Sequence, residues 1–120
     1  MAIIMIIDDE ESVRTLLRFA LEAAGYEVAE AANGRQGLER YRQRPTDLVI
    51  VDMLMPVMSG LDMLLDLTRE FLHAKVIAIS GAAGDQNVLD VAKLLGARQT
   101  FQNPFSMPLL LRAVQYELEH

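Results

Sequence analysis

Apolar runs without alternation recur along this chain, and the longest of them stop at polar residues. Met1-Ala2-Ile3-Ile4-Met5-Ile6-Ile7 runs into Asp8-Asp9-Glu10, and Leu48-Val49-Ile50-Val51 runs into Asp52. Lys75 to Ile79 runs into Ser80-Gly81. A strand with one wet face alternates apolar and polar positions, so an unbroken run predicts a strand covered on both faces. Tyr26 to Ala31 predicts a shorter second strand, and Thr100 to Gln102 a weak fifth.

The stretches between these strands carry helical spacing. Val13, Leu16, Leu17, Ala20, Leu21 and Ala24 keep the i, i+3, i+4 rhythm of a one-sided helix. Arg14, Arg18 and Glu22 lie four apart on its opposite face, and Gly25 is its stop. Asn33-Gly34 opens a shorter, more polar helix over Gly34 to Gln43, with Leu38 and Tyr41 as its apolar positions. Arg44-Pro45-Thr46-Asp47 breaks it. Pro56, Ser59 and Gly60 form a loop, after which Leu61, Leu64, Leu65 and Thr68 mark a third helix. Gln86 to Leu95 is a fourth, with Val88, Val91, Ala92 and Leu95 inward and Gly96 as its stop. Pro104 ends the fifth strand. Met107 to Leu118 is the last helix, with Leu110, Ala113, Val114 and Leu118 in register.

A β-α unit repeated in this way predicts an α/β fold. Its sheet is five-stranded, parallel and doubly wound, with helices on both faces. Right-handed crossovers leave few topologies. The flavodoxin-like order 2-1-3-4-5 places its switch point between the first and third strands, where the carboxyl ends of strands build ligand sites. That order brings Asp8 and Asp9 beside Asp52, with Ser80 on the other side.

Composition narrows the function classes. A chain of 120 residues fits one domain, residues 1–120, with a single core. A net charge of −6 argues against direct nucleic-acid binding. The absence of cysteine removes disulfides, thiolate chemistry and Cys-based zinc sites. No apolar run approaches the ~20 residues of a membrane span, and the opening run lacks the basic flank of a signal peptide. The expectation is a cytoplasmic domain. Leu118-Glu119-His120 matches the start of a common vector-encoded histidine tag, which would let the native chain continue past residue 117.

Clustered carboxylates at strand ends repel one another and are relieved by protons or by a hard cation. Mg²⁺ suits a few carboxylates together with waters and a phosphate oxygen. A carboxylate also attacks phosphorus to form an aspartyl phosphate, which makes Asp52 the candidate reacting group. Ser80 would then donate a hydrogen bond to a phosphoryl oxygen. Taken singly, Asp8-Asp9-Glu10 also suits helix capping, and Ser80 before glycine also suits a turn. Their convergence on strand ends of one sheet favours a site.

With Ile7-Asp8-Asp9-Glu10, Asp52 followed by Met55-Pro56 and Gly60, Ser80-Gly81 and Pro104-Phe105, nearly the whole chain closely resembles the receiver domains of two-component response regulators. The resemblance implies that Asp52 accepts a phosphoryl group from a phosphohistidine on a sensor histidine kinase or phosphotransfer protein. It implies Mg²⁺ held directly by Asp9, Asp52 and the backbone carbonyl of Leu54, and by Asp8 through water. Ser80 would hydrogen-bond the phosphoryl group and reshape the surface of the fourth helix, fifth strand and fifth helix, a face that also permits a homodimer. Such a domain is a phosphoacceptor rather than a free-standing enzyme, with at most self-catalysed phosphotransfer and dephosphorylation.

Two departures bear on the mechanism. Asn103 stands where the family has lysine, so a hydrogen-bonding group replaces a positive charge. Thr100 stands at the family's switch aromatic, and Phe101, one position later, should face the other way. Both support an alternative reading, a receiver-like interaction module that works without phosphorylation. The Asn103-Pro104 bond aligns with one that is cis in the family, so cis is expected here. The Asp-x-Asp of haloacid-type phosphatases, a Walker loop and a Gly-x-Gly-x-x-Gly turn are all missing from the sequence.

Overall fold

The computed structural model describes residues 1–55, 57–80 and 86–120. Pro56 and Gly81, both singled out above, lie outside the described residues. The strands are β1 (Ile3–Ile7), β2 (Glu27–Ala31), β3 (Leu48–Asp52), β4 (Val76–Ser80) and β5 (Gln99–Gln102). The helices are α1 (Glu11–Ala23), α2 (Gly34–Gln43), α3 (Gly60–Glu70), α4 (Gln86–Leu94) and α5 (Met107–Glu119). The sheet is parallel in the order β2-β1-β3-β4-β5, as expected.

The unbroken apolar runs are explained by two separate cores. Met5, Ile7, Val49, Val51, Val76 and Ala78 point to one face and pack with Leu38, Tyr41, Met63, Leu64, Leu67, Leu89 and Ala92 of α2, α3 and α4. Ile4, Ile6, Leu48, Ile50, Ile77 and Ile79 point to the other, against Leu17 and Leu21 of α1 and Leu110, Ala113 and Val114 of α5. Each fully buried side chain of this kind contributes about 1.5–3 kcal/mol relative to exposure. Alternate residues of every central strand therefore need apolar side chains for different helices.

Helix ends follow local chemistry. Gly25 at φ +96° and Gly96 at φ +114° adopt the left-handed backbone that closes α1 and α4. Asn33 caps α2 by accepting from the Gln36 amide at 2.9 Å, and the Gln36 side chain accepts from the Ala32 amide at 2.7 Å. This is close to a reciprocal capping box. Ser59 caps α3 through the Asp62 amide at 3.2 Å.

Several inward assignments fail. Leu16 is 62% exposed, Val91 is 41% exposed, and Ala24 also faces solvent. On α1 the core takes only the narrow stripe of Leu17 and Leu21, flanked by half-buried Val13. On α4 it takes Leu89 and Ala92, a rotation that turns Val91 outward. The Glu70 carboxylate pairs with Arg42, and Glu27 pairs with Arg44, on a solvated face. Met53 is buried, and Met55 and Met58 pack against the same core.

Candidate functional site

The carboxyl ends of β1, β3 and β4 meet at one edge of the sheet. Ile7 of β1 pairs with Val51 of β3, so Asp8 comes abreast of Asp52. Asp52 pairs with Ile79, which puts Ser80 one residue further along β4. Ser80 pairs with Gln102, and Asn103 follows it directly. The backbone N–H of Asn103 donates to the Ser80 carbonyl oxygen at 3.0 Å. The Asn103–Pro104 peptide is cis, as the resemblance implied.

Asp8 and Asp52 are each only 7% exposed, whereas Asp9 is exposed. One carboxylate oxygen from each of Asp8, Asp9 and Asp52 lies within 4.8 Å of the others. Local hydrogen bonds orient two of these groups. Asp8 Oδ1 accepts from the Glu10 amide at 2.8 Å, and Asp52 Oδ1 accepts from the Leu54 amide at 3.0 Å. Arg14 approaches from α1, donating to the Asp8 backbone carbonyl at 2.6 Å and to Glu30 at 3.2 Å. Its charge is thus directed mainly at Glu30, which Arg18 also holds at 2.7 Å.

The price of gathering acids falls on Asp8. Burial pushes its carboxyl up from the usual 3.8 to about 6, against the lowering effect of the Glu10 amide and with help from the charges of Asp52, Asp9 and Glu10. Three converging carboxylate oxygens are hard donors, and their mutual repulsion is what a divalent cation would relieve. The donor set therefore fits Mg²⁺.

Gly60 lets α3 begin beside the acceptor strand. A Cβ there would lie 2.3 Å from the Asp52 carbonyl oxygen and 2.5 Å from Met53 Cα. The Gly60 amide donates to the Met53 carbonyl at 3.1 Å. The glycine of the Asp-x-x-Met-Pro-x-x-x-Gly motif is thus a packing requirement of the loop after Asp52.

Leu54 stands in that loop, 40% exposed, and Ser80 is fully buried at the end of β4. Phe101 packs on the α1–α5 core, the face opposite to that of Thr100, and its ring meets Phe105 edge-on at 6.0 Å. The expectation for Phe101 holds. Sequence reasoning missed Glu117, a 4% exposed acid on α5. It accepts from Gln99 Nε2 at 2.9 Å and lies 3.7 Å from Arg98 Nη1. Lys75 caps the same turn by donating to the Glu117 backbone carbonyl. A helical rhythm counted over apolar residues alone passes over an acid at a core position.

Fold and site together define a doubly wound α/β domain with three carboxylates gathered at its switch point. The chain belongs to the response regulator receiver domain family, whose model matches residues 4–115. It is 35% identical to the chemotaxis protein CheY of Thermotoga maritima, over 92% of this chain and 92% of that protein. It is 33% identical to sporulation initiation phosphotransferase F of Bacillus subtilis, over 93% and 90%. A response regulator receiver domain protein from Clostridium thermocellum superposes with a TM-score of 0.93 at 31% identity, over 99% of this chain and 95% of that one. The response regulator TrrA of Thermotoga maritima, in complex with Mg²⁺-BeF, gives 0.88 at 29% identity, over 98% and 99%.

The protein is a receiver of two-component signal transduction, and this membership favours that reading over a phosphorylation-independent module. Receiver domains interact with histidine kinases or phosphotransfer proteins and bind Mg²⁺ through their acidic pocket. Among the described residues, no helix is long and apolar enough to cross a membrane.

Proposed function

We propose that Asp52 accepts a phosphoryl group from a phosphohistidine on a sensor histidine kinase or phosphotransfer protein. The observation that carries this reading is the convergence of carboxylate oxygens from Asp8, Asp9 and Asp52 within 4.8 Å at the carboxyl edge of the sheet. A carboxylate oxygen of Asp52 forms the new bond to phosphorus as the bond from phosphorus to the donor imidazole nitrogen breaks. Asp52 is already an anion in its reactive form, so no general base is required. The Leu54 amide, 3.0 Å from Oδ1, fixes the plane of the carboxylate.

Asp9, Asp52 and the Leu54 carbonyl would hold Mg²⁺ directly, with Asp8 acting through water. When bound, the ion neutralises charge on the phosphoryl oxygens. Ser80, at the end of β4, would donate its hydroxyl hydrogen to a phosphoryl oxygen, and Asn103 would offer an amide where the family has lysine. The response then spreads to the face of α4, β5 and α5. Val91 and Leu94 on α4 and Leu109 and Tyr116 on α5 are exposed there, which supports the same face as a homodimer contact. We read residues 1–120 as one receiver unit acting in the cytoplasm.

Incubation with Mg²⁺ and acetyl phosphate, followed by intact mass measurement, tests the proposal. The expected result is a gain of one phosphoryl group in the wild type and none in Asp52→Ala. An unchanged wild-type mass, together with no spectral response to beryllofluoride, would refute it.

A further inference from the structure

The short link from β1 to α1, Asp8 to Glu10, carries two of the three converging acids. Its course is set by neighbouring elements. Glu10, the N-cap of α1, makes no side-chain cap hydrogen bond. The Asp8 N–H donates to the Ala31 carbonyl of β2 at 3.2 Å, and the Glu10 carbonyl accepts from the Arg14 amide at 3.1 Å. Between these points the Asp8 carbonyl accepts from Arg14 Nη1 at 2.6 Å.

A peptide unit is planar, so the Asp8 carbonyl and the Asp9 N–H share one rigid plane. A hydrogen bond that fixes this carbonyl fixes the direction in which the chain leaves for Asp9, whose own side chain is exposed. It also steadies the base of the Asp8 carboxylate, whose Oδ1 accepts from the Glu10 amide at 2.8 Å across the same turn. Among the described residues, the acid that Arg14 pairs with is Glu30, outside the cluster.

Glu30 aims the guanidinium. Its Oε1 accepts from Arg14 Nε at 3.2 Å and its Oε2 from Arg18 Nη1 at 2.7 Å, so each carboxylate oxygen holds one arginine of α1. Glu30 stands on β2 next to Ala31. Strand β2 therefore grips Asp8 twice, directly through Ala31 and again through Glu30 and Arg14. The planar fork of an arginine reaches two acceptors in fixed geometry, which a lysine ammonium does not.

We infer that Arg14, aimed by Glu30, is a positioning residue for the Mg²⁺ site: it holds the Asp8–Asp9 peptide plane from which both acids project. The inference rests on the proposed ion at these acids. Geometry and charge here have opposite signs. Removing a cation from beside three carboxylates strengthens Mg²⁺ binding if charge alone matters. Removing a group that orients the ligands weakens it, by about tenfold or more.

Mg²⁺ titrations of the wild type, Arg14→Met and the double variant Arg14→Met/Glu30→Gln test this. Affinity is read from the Asp9 amide signal by NMR, and urea unfolding separates stability from affinity. Arg14→Met is expected to bind Mg²⁺ about tenfold more weakly. The double variant restores the wild-type net charge, and the same loss is expected in it, because Glu30 acts through Arg14. Unchanged affinity in Arg14→Met makes the arginine a prop of the fold alone, and increased affinity makes it a charge effect. Either overturns the inference and leaves the role of Asp52 standing. If Arg14→Met does not fold, Arg14→Lys decides: weaker Mg²⁺ binding with the charge retained supports the inference, and any other result overturns it. A wild type without any Mg²⁺ response overturns the metal site and this inference together.

Discussion

Asn103 donates its backbone N–H to the Ser80 carbonyl at 3.0 Å, which ties the residue at the family's lysine position to the end of the neighbouring strand. Backbone register there is independent of side-chain charge, so a lysine can be introduced without moving the strand. Asn103→Lys is expected to bring the Asp8 carboxyl down from about 6 and to speed acetyl phosphate uptake by roughly tenfold or more. Carboxyl NMR titration and timed intact mass measurements check the two effects.

Proton linkage at Asp8 gives a pH dependence with a definite sign. The folded protein holds this proton more tightly than the unfolded chain, because the carboxyl rises from 3.8 to about 6. Between those values the folded state binds more protons, so the contribution to stability is full below 3.8 and is lost as pH rises through 6. Urea midpoints without divalent metal should fall across this window. Mg²⁺ competes with that proton, so its affinity should rise over the same window and its binding should restore stability above it. Asp8→Asn should flatten the metal-free profile.

Gly60→Ala should be among the most damaging single-methyl additions in the chain. The new atom meets the Asp52 carbonyl and Met53 Cα, both backbone, at 2.3 and 2.5 Å. Overpacking against yielding side chains costs about 1–3 kcal/mol, so a loss of about 3 kcal/mol or more is expected in urea unfolding. Asp52 phosphorylation should fall with it, since the displaced carbonyl belongs to the acceptor itself.

Glu117→Ala should cost about 1–3 kcal/mol, because it leaves Gln99 without its buried partner and opens space under the end of α5. Glu117→Gln keeps an acceptor for Gln99 and should lose less. Thermal or urea unfolding of both variants checks the order.

The parts of this molecule that were legible in the sequence are those where one residue's chemistry contradicts its surroundings. Asp8 and Asp52 interrupt apolar runs, and the alternation-free strands announced cover on both faces. Leu16 and Val91 misled because a leucine or valine at helical spacing need not face the core; the neighbouring Leu17, Leu89 and Ala92 filled the available width. Glu117 was passed over for the converse reason, an acid in a core position satisfied by partners distant in the chain. The close seats of Gly34 on Met58 and of Gly37 on Ile7 depend on distances between elements, which a one-dimensional pattern does not carry.

The central claim is that Asp52, rather than either neighbouring acid, carries the phosphoryl group. Borohydride reduces an aspartyl phosphate to homoserine and so marks the acceptor covalently. After treatment with Mg²⁺ and acetyl phosphate, reduction and peptide mapping should place homoserine at position 52 with Asp8 and Asp9 intact. Homoserine at position 8 or 9, or at no position, would contradict the account.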